Sequence, residues 1–288
     1  MGSDPGAQPG APLARRSFLR GLGLAAGGLA CGVAGAGAGG LAGAGSTVFG
    51  VDAGRLAGAG RAGLGGAGRV VGTGAGGIRA ARRYEFVFAR LRYDSGDWDY
   101  NPKVCANVLD AVLQYTQIPV HEEEVVITAD SEELPAYPFL FMTGHKLVRF
   151  SEAERAGIVR YVRSGGLLFS DDCNHDIEGL YARSFEAEMA RAFGGSGDVL
   201  PKISNDHPVY NAFFRFPEGP PQTSHELNGW GDDMVHDYMR GLEHRGRLGV
   251  VYSNKDYGCE WDYDWRNKRF RREDNTRFAV NLVVYAMT

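Results

Sequence analysis

Glycine is spread so unevenly along this chain that it divides the sequence in two. Of 42 glycines in 288 residues, 26 fall within residues 1–80, mixed almost entirely with alanine. Such a stretch carries too few large apolar side chains to offset the entropy of ordering its backbone. The distribution predicts a disordered Gly/Ala-rich linker over residues 37–83, which as a flexible coil would span roughly 35–40 Å. A single folded α/β domain is expected over residues 84–288, long enough to bury a sizeable core.

Residues 1–36 read as an export signal. Ala14-Arg15-Arg16-Ser17-Phe18-Leu19-Arg20 resembles the twin-arginine motif, in which paired arginines precede a spacer, Phe-Leu and a basic residue. A mildly apolar run from Gly21 to Val33 follows, with small residues suited to a peptidase after Ala36 or Ala38. The expected address is periplasmic or otherwise extracytoplasmic, with the twin-arginine translocase as carrier and the uncleaved signal as an alternative anchor. The run is too rich in glycine to read as a confident membrane-spanning helix. Gly28-Leu29-Ala30 before Cys31 has glycine where a lipid-attachment site has leucine, three residues before the cysteine.

A formal net charge of −4 argues against a nucleic-acid partner, which would require a basic face. The basic run Arg266 to Arg272 sits among Asp262, Asp264, Glu273 and Asp274, and reads as a solvated, salt-bridged segment. Beyond Cys31, the cysteines are Cys105, Cys173 and Cys259; an odd number leaves at least one thiol free or paired between chains. No CxxC spacing supports a structural zinc site.

From Tyr84 the texture changes. Tyr84–Leu91 is aromatic and branched, and predicts a buried strand. After a polar loop, Pro102 suits the first position of a helix with Asn101 as its cap. Further strands are expected over 124–128, 139–143, 167–170 and 248–253, the apolar ones covered on both faces. Ser151 with Glu154 forms a capping box for a helix to Arg163, stopped by Gly165-Gly166. Helices are also expected over 185–193 and from Asn275 to Tyr285. The segment 198–247, broken by prolines, gives no regular pattern. Alternating strands and helices imply a mostly parallel sheet with right-handed crossovers, and the expectation is a flavodoxin-like three-layer sandwich.

Ligands in such sheets bind beyond the carboxyl ends of the strands. The unusual polar residues fall there: Asp94, Asp97, Trp98 and Asp99 after the first strand, then His145 after the third. Asp171, Asp172, Cys173 and His175 follow the fourth, and Asn254, Asp256, Tyr257, Cys259 and Glu260 follow the last; the long loop adds Asp206 and His207. Within this rim, Asp97, Trp98, His145, Asp171, Asp172, Cys173, His175, His207, Asp256 and Tyr257 are the candidate ligand-binding residues. Asp171, Asp172, His145 and His207 are the candidates for acid–base chemistry. Each has a plainer structural reading, as a turn-former, a cap, a packing residue or a loop histidine bonded to backbone. No GxSxG, Walker loop or GxGxxG follows any strand, and no cofactor or metal is assigned.

Several motifs in the same order carry a resemblance. Phe86–Tyr93 with Gly96-Asp97-Trp98, Tyr137-Pro138-Phe139-Leu140 into Thr143-Gly144-His145, and Gly165 to Asp172 resemble the domain of unknown function 4159 family. So do Asp206-His207-Pro208 and Asp256-Tyr257-Gly258-Cys259. That family is similar to the class I glutamine-amidotransferase-like superfamily, which implies the same sandwich. In true amidotransferases a catalytic cysteine occupies the turn after the strand matching Leu167–Ser170; here the turn carries Asp171 and Asp172, with Cys173 displaced. Glutaminase activity is therefore not expected.

The leading functional expectation is a cell-envelope binding or accessory module that holds a small polar ligand or a partner at the acidic rim. The alternative is a hydrolase of a carbohydrate or amide, with Asp171 or Asp172 as base. Adjacent acids tune one another only if both side chains face the rim. A structural role in a larger assembly is the third.

Overall fold

The structure, a computed structural model, describes residues 70–71, 85–194, 198–229, 231–262 and 273–288. The export signal over 1–36 lies outside the described residues, and so does the linker over 37–83 except for Val70 and Val71. The basic run and Trp230 are also outside them.

The strands are β1 (Val70–Val71), β2 (Ala89–Arg92), β3 (Val125–Thr128), β4 (Phe139–Gly144), β5 (Leu167–Asp172), β6 (Arg240–His244) and β7 (Arg247–Ser253). The helices are α1 (Val104–Tyr115), α2 (Glu152–Arg163), α3 (Leu180–Phe193), α4 (Ser224–Leu227), α5 (Tyr257–Asp262) and α6 (Glu273–Met287). The strands form one sheet in the order β1-β3-β2-β4-β5-β7-β6, parallel except for the β6–β7 pair. Without the two-residue edge strand β1 and the hairpin strand β6, the order β3-β2-β4-β5-β7 is that of flavodoxin-like sheets. The direction of winding reverses between β2 and β4, which is where such sheets open a crevice.

Side-chain alternation builds the three layers. Phe139, Phe141, Leu167, Phe169 and Val251 face one side, packing with Val104, Val108 and Val112 of α1 and Phe278 and Leu282 of α6. Leu140, Met142, Leu168, Val250 and Tyr252 face the other, against Ile158 and Tyr161 of α2 and Phe185 and Met189 of α3. Both faces of β4 and β5 are buried, as their unbroken apolar runs require.

Local signals set several boundaries. Ser151 Oγ accepts from the Glu154 amide at 3.2 Å while Glu154 Oε2 accepts from the Ser151 amide at 2.7 Å, the expected capping box. Gly165, at φ +96°, ends the chain's helical path. Other boundaries differ from expectation. The first strand begins regular pairing only at Ala89, with Phe86 making a single bridge to Val120. Helix α1 opens at Val104 rather than Pro102, and Asn101 does not cap it. Its backbone is left-handed (φ 58°), and its side-chain amide turns inward to the Cys173 sulfur at 3.1 Å. The irregular segment 198–247 contains a 3-10 turn over Pro208–Tyr210, helix α4, and β6. Arg245 and Gly246, both at positive φ, close the β6–β7 hairpin with the turn chemistry such hairpins require.

Arg90 sits wholly buried on β2. Its Nε donates to Glu124 Oε1 at 2.5 Å, and its other nitrogens donate to the carbonyls of Tyr100 at 2.8 Å and Asn101 at 3.0 Å. Replacing it with Met removes the counter-charge of a buried carboxylate, which costs about 3–5 kcal/mol. Urea unfolding of Arg90→Met is expected to show that loss, and Arg90→Met/Glu124→Gln to recover part of it.

Candidate functional site

At the switch point, the loop after β2 and the loop after β4 are tied together by side chains. Asp97 Oδ1 accepts from the backbone amides of His145 (2.9 Å) and Lys146 (3.2 Å), and Oδ2 lies 3.0 Å from His145 Nδ1. Ser95 Oγ both accepts from the Arg149 amide and donates to its carbonyl. Gly144 permits the close approach: a Cβ there would sit 2.3 Å from the Tyr93 hydroxyl and 2.8 Å from Asp97 Oδ1. Burial pushes the Asp97 carboxyl up, but the hydrogen bonds and charge of His145 outweigh it and hold the group below its ordinary value. The His145 ring is 29 % exposed and stands edge-on to Tyr100, with ring centres 4.2 Å apart. Asp97 therefore orients an imidazole that remains open to solvent.

The two adjacent acids behave differently. Both belong to β5 rather than to the loop beyond it, so the pleat sends their side chains to opposite faces of the sheet. Asp171 lies in register with Thr143 and Ser253, and accepts from the Tyr257 amide at 3.1 Å and the Gly258 amide at 2.6 Å, at the start of α5. Asp172 accepts from the Asn174 amide at 2.8 Å and from the Tyr252 hydroxyl at 3.3 Å. Neither exposes any surface. Burial raises the Asp171 carboxyl to about 6 despite those amides. Burial, together with the charge of Asp171, raises Asp172 to about 7.

Two clusters could hold a metal. Cys173, Asp256 and Cys259 bring their ligand atoms within 4.8 Å of one another. Asn101 touches both sulfurs, Thr143 Oγ1 lies 2.9 Å from Cys173 Sγ, and His225 Nδ1 lies 3.2 Å from Asp256 Oδ2. Burial drives the Cys173 thiol well up, whereas its hydrogen bond to Cys259 brings the Cys259 thiol down. The second cluster is His175, Asp232 and His236, again within 4.8 Å.

One protein family matches this chain over residues 87–287, the Domain of unknown function (DUF4159). The chain belongs to the DUF4159 family. No curated protein matches the sequence.

Within this DUF4159 domain the sequence-derived candidates separate into groups. Asp97 and His145 meet where the loops after β2 and β4 adjoin, whereas Trp98 packs against the core. Cys173, Asp256 and Cys259 meet beside Asn101, and His175 joins the second cluster. Tyr257 is a core residue, stacked on Trp261 with its hydroxyl on the Pro221 carbonyl. His207 does not belong to the rim: it lies 3.7 Å from Glu243 and against Tyr285, whose hydroxyl accepts from Leu248 at the beginning of β7. That is the opposite end of the sheet. Its ring accepts from the Val209 amide at 3.1 Å, so the Asp206-His207-Pro208 motif caps its own turn. Asp232 and His236 were not legible as site residues; their i, i+4 spacing inside an irregular segment was the available signal. Among the described residues, no helix is long and apolar enough to cross a membrane.

A carboxyl whose folded value is raised favours the fold below its unfolded value, and that contribution is lost as pH rises through the folded value. For Asp171 and Asp172 the window runs from about pH 4 to about 6 and 7. Burial holds His207 and His225 below their ordinary value, and they act in the opposite sense near neutrality. The test is therefore a difference. Between pH 5 and pH 8, the denaturation free energy of Asp172→Asn should gain on wild type by on the order of 3 kcal/mol.

Proposed function

We propose that this DUF4159 domain is a binding module that takes a small polar ligand at the crevice between β2 and β4, read by His145. The supporting observation is the hold of Asp97 on the amide and ring of His145 and on the Lys146 amide, which leaves the ring partly exposed at the sheet's switch point. Crevices at that position are where open α/β sheets receive ligands. The acids that end β5, by contrast, have their oxygens engaged by backbone amides and by Tyr252 inside the fold.

Hydrolysis of a carbohydrate or amide is the second reading, and the same pair favours it. A carboxylate-oriented imidazole that is partly open to solvent is the arrangement of a general base acting on water. This route uses His145 rather than Asp171 or Asp172. Kinship with the class I glutamine-amidotransferase-like superfamily rests on the strand order and the turn after β5. Cys173 is buried there with its thiol held protonated, which argues against glutaminase activity.

Thermal shift against a panel of sugars, amino acids, amides and carboxylates tests the reading. At a concentration 100 times its dissociation constant, a true ligand adds about 2.7 kcal/mol of stability. The expected result is a hit that His145→Ala abolishes and Asp97→Asn weakens. A silent panel, or a hit that His145→Ala leaves intact, rejects the crevice. Mass spectrometry of the hit after incubation separates binding from hydrolysis.

We also propose delivery of the domain beyond the cytoplasm by the twin-arginine segment. Lys-Lys in place of Arg15-Arg16 should shift the protein from the periplasmic to the cytoplasmic fraction. An unchanged distribution contradicts this address.

A further inference from the structure

We propose that His175, Asp232 and His236 form a binding site for a borderline divalent transition-metal ion of the zinc class. The three side chains come from two parts of the chain. His175 follows β5, while Asp232 and His236 lie on the loop between α4 and β6. Their ligand atoms converge within 4.8 Å, and all three side chains are nearly enclosed: 1 %, 12 % and 2 % exposed.

The hydrogen bonding of His175 supplies the main argument. Its Nδ1 contacts the Asn254 carbonyl, which can only accept, so Nδ1 carries a proton. In the neutral ring Nε2 is then a lone pair. That lone pair faces the Met234 carbonyl at 2.9 Å and Asp232 Oδ1 at 3.5 Å, both of which also only accept. Asp232 Oδ2 lies 2.8 Å from His236 Nε2. Electron-pair donors gathered in this way repel one another unless a cation sits among them. A backbone carbonyl on Nδ1 that frees Nε2 is also how metal-bound histidines are commonly oriented. Two imidazoles and a carboxylate suit zinc, and three protein ligands leave a coordination position open.

The surroundings hold these donors in place. His175 adopts a left-handed backbone (φ 49°), and its carbonyl accepts from the Asp232 amide at 2.9 Å. Gly231 makes that contact feasible, since a Cβ there would sit 1.9 Å from the His175 oxygen. The His236 backbone is clamped at both ends: its amide donates to Glu226 Oε1 at 2.9 Å, and its carbonyl accepts from Lys255 Nζ. Glu226 and Lys255 are themselves a fully buried ion pair at 2.6 Å. Enclosing two charges costs several kcal/mol per ion before their attraction is counted. Here the pair fixes one histidine of the cluster.

The site goes beyond the crevice reading, and its test involves no polar-ligand panel, so the two can fail separately. The full chain is purified without chelator and its metal content measured. It is then stripped, and titrated with Zn2+ against a chromophoric chelator and with Co2+ by absorption spectroscopy. The expected result is one equivalent of metal and a Co2+ spectrum of nitrogen and oxygen ligation. Affinity should fall at least about tenfold in His175→Asn and His236→Gln. Asn tolerates the left-handed backbone, so His175→Asn removes the imidazole without imposing strain. The Co2+ spectrum of the unmodified protein needs no variant to fold. Cys173→Ser/Cys259→Ser should keep the metal. A protein that binds none overturns the proposal. A sulfur-to-cobalt charge-transfer band lost in the double cysteine variant also overturns it, by placing the ion at the neighbouring thiols.

Discussion

Arg90 lies in the middle of β2 with none of its surface exposed, and its guanidinium reaches both across the sheet and up to the loop above it. Glu124, the residue before β3, supplies the counter-charge at 2.5 Å, and the Phe141 ring lies 5.1 Å below the guanidinium carbon. The carbonyls of Tyr100 and Asn101 take the remaining hydrogens. An apolar residue would fill the same volume without those loop contacts. Holding Tyr100 places the ring that stands edge-on to His145. Holding Asn101 presents its side-chain amide to both Cys173 and Cys259. One cation in the sheet thus positions two separate regions of the rim, and the desolvation it suffers is offset by a carboxylate, a ring face and two carbonyls.

Above that base, the rim divides its polar residues by job. The pleat parts Asp171 from Asp172, and each acid is drawn into fixing the backbone that follows β5 or β7. Asp97 does the same for the loop after β4, yet leaves an imidazole facing outward. Strain collects in the same region. Among the described residues five non-glycines have positive φ, and of these Asn101, His175 and Asp256 stand beyond the carboxyl ends of β2, β5 and β7. Such conformations persist where the surroundings over-determine them, and they cluster at binding sites. The other two, Asp233 and Arg245, belong to a loop and a hairpin turn.

How far the sequence could be read depended on the range of the interaction involved. Strands β4, β5 and β7 announce themselves through unbroken apolar runs, and α2 through a capping box that spans four residues. The right layer architecture followed from these alone. The end of β5 did not, because two acids terminate the apolar pattern; only the amides of α5, 86 and 87 residues away, explain why strand continues through Asp171. Asn101 looked like a helix cap for the same reason: its actual partners, Cys173 and Cys259, are distant in sequence. His207 looked like a rim residue because its motif is conspicuous, while its ring merely closes its own turn. The segment 198–247 has no periodicity to read. Its order comes from β7, from the Glu226–Lys255 pair, and from the contact of Asp232 with His175.

The reach of these contacts along the chain has its own consequence. Asn101 touches Cys259 across 158 positions, and the Lys103 amide meets Asp262 across 159. Around Asn101 the rim is therefore where the beginning and the end of the domain meet, and that part of its geometry exists only once the last strand has docked. Closing loops of that length is entropically slow to be rewarded. A chain arrested after β5 could already own most of its central sheet and the Asp97–His145 pair, yet it would lack Asp232, His236, Asp256 and Cys259, and with them both metal-type clusters. The two clusters are thus late properties of the polymer, assembled only once segments from both halves of the domain have met.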